Sequence, residues 1–90
     1  VLLTIEKQSN DVFKVTMSGR TTTQHEVIIT DDVHQGLTNG QVTKEELLDF
    51  SFKFLLDREP NTSILSSFEI MVIARYFPEY ISMVKEWCAT

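Results

Sequence analysis

Apolar and polar residues alternate along the first thirty positions. Leu3 and Ile5 are interleaved with Thr4 and Glu6, and Lys7 falls on the apolar side. Phe13, Val15 and Met17 alternate with Lys14, Thr16 and Ser18, and His25, Val27 and Ile29 alternate with Glu26, Ile28 and Thr30. A period of two with β-branched enrichment is the pattern of strands with one buried face. Ser9-Asn10-Asp11 and Gly19 separate the runs as turns. The expectation is an antiparallel meander of three strands. Leu3, Ile5, Phe13, Val15, Met17, Val27 and Ile29 form its inner face, and Thr, Lys, Glu and Ser form a wet outer face.

The period then lengthens. Thr30-Asp31-Asp32 can cap a short helical turn through Leu37, which Asn39-Gly40 ends. Thr43 followed by Glu46 is a capping box, with Val42 and Leu47 in staple positions. A helix over 44–58 follows. Leu47, Phe50 and Phe54 form one apolar row and Leu48, Phe52 and Leu55 the next, while Glu45, Asp49, Lys53 and Asp57 mark the wet side. Pro60 stops this helix because proline has no N–H and disfavours α geometry at Glu59. Ser66 and Glu69 read as a second box, opening a helix over 67–76; a start at Asn61 or Thr62 would give a longer, kinked helix, and the pattern does not choose. Pro78 suits the first turn of a last helix, about 78–88. Strands first and helices after predict an α+β fold, with three to four helices packed on one face of the three-stranded sheet, in a single domain over 1–90.

Composition narrows the function classes. Hydrophobic residues at 42% and charged residues at 23% fit a folded globular chain and exclude disorder. The opening VLLTIEKQ has no basic region or cleavage site of a secretion signal, and no apolar run reaches the ~18 residues of a membrane span. The lone Cys88 excludes an internal disulfide, so the expected setting is the cytoplasm and the expected role of Cys88 is that of a half-buried apolar residue. Residues 31–60 hold seven carboxylates against three cations. With no basic stripe, phosphate neutralisation has little to work with, and Lys7, Lys14 and Arg20 are too few for a nucleic-acid regulator.

Part of the chain resembles a known family. The run SFKFLLDREPNTSIL, with IARYFPEY after it, is similar to a small bacterial protein family of like length. In that family a strand meander precedes SF-x-FLL-x-REP, then SIL, then RYFPEY. The likeness is close over Phe50 to Tyr80 and loose over the VTMSG strand and over Gln24-His25-Glu26-Val27. The family has no established activity, so the resemblance implies a shared fold and a bacterial origin and nothing catalytic.

Ligand-type residues gather only around His25-Glu26 and Asp31-Asp32-x-His34. The three-residue spacing of Asp31 and His34 can share a helical face and a divalent metal. The plainer account, preferred here, is that Asp31 or Asp32 caps the turn, His34 faces solvent and His25 is a hydrogen-bonded core histidine. Ser63, Ser66 and Ser67 are read as capping residues, and the glycines as turn residues rather than a phosphate loop. Arg58-Glu59-Pro60-Asn61 and Arg75 to Tyr80 each set charge beside a helix break. They form either an internal latch, in which Arg58 or Arg75 pairs with a carboxylate or caps helix-end carbonyls, or a partner surface, since Tyr and Arg are favoured interface anchors. Trp87 either packs under the sheet or forms an apolar patch for self-association. The expected function is a non-catalytic interaction module that docks a protein partner or itself, with Arg58, Tyr76, Tyr80 and Trp87 as candidate binding residues and with no cofactor, membrane or small-molecule substrate. A metal-dependent small enzyme using His25, Asp31, Asp32 and His34 is the alternative.

Overall fold

The structure, a computed structural model, describes residues 2–89; Val1 and Thr90, the ends of the expected 1–90 domain, lie outside them. The alternating segments form β1 (Leu2–Lys7), β2 (Val12–Ser18) and β3 (Thr23–Ile28), paired antiparallel in sequence order. Register sets Ile5 opposite Val15 and Val15 opposite His25, with Phe13 opposite Val27. Directly opposed residues share a face, so these side chains form the inner layer. Phe13, Val15, Met17, Val27 and Ile29 are fully buried, as the alternation requires. On the outer face Thr4, Glu6, Gln24 and Glu26 are exposed.

Helix α1 (Asp31–Thr38) is capped by Thr30, whose hydroxyl accepts from Val33 N–H, rather than by Asp31 or Asp32. It ends where Asn39 adopts φ 56° and Gly40 φ 74°, left-handed geometry that an Asn-Gly pair supplies at low cost. Helix α2 (Lys44–Leu56) carries both halves of the expected box: Glu46 N–H donates to the Thr43 hydroxyl at 3.1 Å and Thr43 N–H to the Glu46 carboxylate at 2.9 Å. It ends two residues before the expected boundary.

The sheet has four strands, not three. Ser67–Glu69 forms β4, parallel to β3, with Val27 opposite Phe68. The box read at Ser66 and Glu69 therefore does not open a helix. The Ser66 carbonyl instead accepts from Glu26 N–H at 2.8 Å, and Ile70 N–H donates to the Ile28 carbonyl at 3.0 Å. Pairing with the edge that a three-stranded meander leaves open, together with burial of Phe68 and Ile70, outweighs a local cap. The expected helix over 67–76 shrinks to α3 (Val72–Tyr76), and Asn61–Ser63 is a single 3₁₀ turn. Helix α4 (Tyr80–Ala89) starts two residues after Pro78.

One core holds the molecule together, and the Cα radius of gyration, 12.3 Å, is that of one compact domain of this length, about 12 Å. Helix α2 is its axis. Phe52 lies against His25 of β3 and Phe68 of β4, with ring centroids 5.6 and 6.1 Å away, while Phe54 meets Phe77 and Tyr80 on the far side. Among the described residues no helix is long and apolar enough to cross a membrane.

Candidate functional site

The segment from Asn61 to Ser67 crosses the end of β3 and is tied to it by side chains. The Asn61 amide donates to the Thr21 carbonyl at 2.8 Å and to the Thr23 hydroxyl at 3.0 Å. His25 is buried, and its Nδ1 lies 2.7 Å from the Leu65 carbonyl. A carbonyl only accepts, so Nδ1 carries the proton, and Nε2 accepts from the Thr23 hydroxyl at 2.9 Å. His25 is thus a core histidine with both ring nitrogens occupied, and its work is to hold Leu65 in place.

That strapping shapes an apolar groove of about 350 Å³ between the end of α2, the 3₁₀ turn, β4 and α3, at the small end of the ~300–1,000 Å³ typical of ligand pockets. Leu55, Leu65, Phe68, Ile73, Tyr76 and Phe77 line it, and Glu59 is its one charged lining residue. Leu65 is 47% exposed and Tyr76 67%, large apolar surfaces left open beside a cavity. Phe68 of β4 brings the groove up to the sheet, at a strand that pairs on one side alone among the described residues. Strand β4 ends the sheet, and Ser66 and Ile70 turn their main-chain groups toward β3. Strand alternation turns the N–H and C=O of Ser67 and Glu69 outward.

The four candidate binding residues separate. Tyr76 lies on the groove. Arg58 and Trp87 line a second, smaller groove between α2 and α4. Tyr80 is fully buried, a correction to its expected place on a contact surface, because its hydroxyl finds a partner inside the core at Ser51. Trp87 stacks on Phe50, centroids 4.5 Å apart and planes 16° apart.

Arg58 has the latch geometry. Its guanidinium sits 3.6 Å over the Phe54 ring, donates to the Phe54 carbonyl at 3.0 Å and reaches Glu79 at 3.4 Å, tying the end of α2 to the start of α4. Replacing Arg58 with Ala is expected to lower stability by about 1 kcal/mol, from the cation–π contact and the lost carbonyl cap. Arg58→Lys should fall between, since an ammonium cannot stack as a plane. Urea denaturation reads both.

Sequence reasoning missed a second node. The Lys44 ammonium is buried at the first turn of α2, where the helix dipole opposes a cation. Asp31 at 2.8 Å, Asp11 at 3.4 Å and the Asn10 carbonyl at 2.9 Å satisfy it and join the β1–β2 turn to both helix starts. Burial disfavours the ammonium, yet the bonds to Asp31 and Asp11 outweigh that and raise its pKa; the Lys44 hydrogen bond in turn holds the Asp31 carboxyl below its ordinary 3.8. A lowered carboxyl contributes stability above its unfolded pKa and loses it as pH falls through the folded one. The stability difference between wild type and Asp31→Asn should therefore be complete near neutrality and close below pH 3.8. Urea titrations from pH 2 to 7 check it; a difference that persists unchanged in acid would contradict the pairing.

The residues of the metal reading do not converge. Asp31 is committed to Lys44, His34 donates to the Val42 carbonyl at 2.6 Å and is half-buried rather than facing solvent, and His25 is bound as described. Among the described residues no group of three or more His, Cys, Asp or Glu side chains could hold a metal, and no buried side-chain N or O is unpaired. Lys14 stands in a cross-strand row between Glu6 and Glu26, and Lys7 belongs to the opposite face. The sheet thus gathers no basic patch from them.

No family model, curated protein or solved structure matches the chain.

Proposed function

We propose that this chain is a non-catalytic protein-interaction module that captures an extended segment of a partner protein. The segment adds as a strand to β4, exchanging hydrogen bonds with Ser67 and Glu69, and drops an apolar side chain into the groove beside Tyr76 and Leu65. One observation carries the reading: β4, the last strand of the sheet and unpaired on its outer side among the described residues, contributes Phe68 to an apolar groove. The edge commits the occupant to extended geometry, since a helix satisfies its own backbone and cannot use those groups. The cytoplasm is the proposed setting, on the ground that a small domain with one cysteine relies on its core rather than on disulfides. Burial also pushes the Cys88 thiol pKa up, as suits an inert thiol.

Selection from a random displayed-peptide library tests the reading. Selected peptides should be β-forming with a large aliphatic or aromatic anchor, and should slow amide exchange at Ser67 and Glu69. Tyr76→Ser should weaken them about tenfold or more, as loss of an exposed anchor does. Ser67→Pro removes only an outward N–H, so it should abolish binding while the melting temperature changes little. Recovery of no peptide, or of peptides indifferent to both substitutions, overturns the reading.

A further inference from the structure

Glu59 is half-buried on the groove and its carboxylate has no hydrogen-bond or ion-pair partner among the described residues; only its main-chain N–H is bonded, to Leu55. It also follows the C-terminal end of α2, where the helix dipole disfavours negative charge. The adjacent Arg58 cannot neutralise it, because that guanidinium is spent on Phe54 and Glu79 and lines the other groove. The remaining lining residues are apolar or hydroxyl-bearing. A lone carboxylate on an apolar wall gains most from a cation that arrives with the ligand.

We infer that the groove selects strands carrying a lysine or arginine two places from the apolar anchor, with Glu59 as the residue that reads the charge. This rests on the strand-addition reading above. Side chains two apart on a strand face the same side, about 6.6–6.8 Å from each other, so an anchor seated by Tyr76 brings the second side chain along the same groove. A lysine or arginine stem can cover the apolar wall while its head meets the carboxylate. A segment with an acidic residue there is disfavoured twice, by Glu59 and by the chain's net charge of −5.

The probe is a set of blocked peptides of alternating threonine and valine with one central leucine anchor. Lysine, norleucine or glutamate is placed two positions from the leucine, and affinity is read by fluorescence anisotropy at low and high salt. The lysine peptide should bind about fivefold tighter than the norleucine peptide, the worth of a partly exposed ion pair, and the glutamate peptide weaker than both. Glu59→Gln should erase the advantage of the lysine peptide over the norleucine peptide, and high salt should shrink it. Equal binding of lysine and norleucine peptides, or a lysine preference that survives Glu59→Gln, overturns the inference and leaves the groove standing. Failure of all three peptides overturns the strand-addition reading itself.

Discussion

Replacing Phe52 with Ala should cost about 3–5 kcal/mol, the largest effect expected from truncating any one side chain of α2. Phe52 is fully buried and is the α2 residue whose ring meets both His25 and Phe68, so it joins the helix to β3 and β4 together. Truncation opens a cavity between helix and sheet and also removes two ring contacts of about 0.5–1.5 kcal/mol each where geometry is favourable. A domain of this length is stable by about 5–14 kcal/mol at ~0.05–0.15 kcal/mol per residue, so the loss is a large fraction of the whole. The midpoint of thermal unfolding should fall by at least about 12 °C. Phe52→Leu, which refills part of the space, should recover much of it. A loss under about 1 kcal/mol for Phe52→Ala would mean that α2 does not pack on the sheet through this row.

How much of this was legible in the sequence depended on distance along the chain. Strands β1 to β3 were readable because period two repeats over several residues, and α2 because Thr43 and Glu46 lie three apart. Strand β4 was not readable. It is three residues long, and its pairing depends on the vacancy beside β3, about forty residues earlier. The same Ser66 and Glu69 that make a plausible cap therefore gave a helix where tertiary pairing makes a strand. The Lys44 node was hidden for a like reason, with acceptors 13, 33 and 34 residues away. Residue type alone marks an N1 lysine as a poor helix start, which was the one available signal. Of the residues that line the groove, the sequence singles out Tyr76, from its place beside a helix break. Leu65 and Glu59 are not singled out, because a groove is a property of four elements that meet only in the fold.

Tyr80 and Ser51 allow a sharper test, because their hydroxyls form a buried chain whose direction is fixed. The Ser51 hydroxyl donates to the Leu47 carbonyl at 2.7 Å, which spends its only proton. The Tyr80 hydroxyl must therefore donate to Ser51 Oγ. Tyr80→Phe removes a donor and leaves Ser51 still bonded, so about 0.5–1.5 kcal/mol should be lost. Ser51→Ala removes the acceptor and leaves a buried tyrosine hydroxyl with nothing to donate to, so about 1–3 kcal/mol should be lost. Tyr80→Ala empties the site and should cost about 3–5 kcal/mol, as large aromatic truncations do. The double variant Ser51→Ala with Tyr80→Phe has no orphaned group, and it should be more stable than Ser51→Ala alone. Burial also raises the Tyr80 pKa above its ordinary 10. A raised pKa gives stability that is complete below pH 10 and lost as pH climbs toward the folded value, so Tyr80→Phe should flatten the alkaline arm of the stability curve. Peptide binding at the groove should be untouched by Tyr80→Phe and by Ser51→Ala. A double variant less stable than Ser51→Ala would contradict the hydroxyl pairing, and a Tyr80→Phe protein that folds normally but loses its peptide would tie Tyr80 to binding.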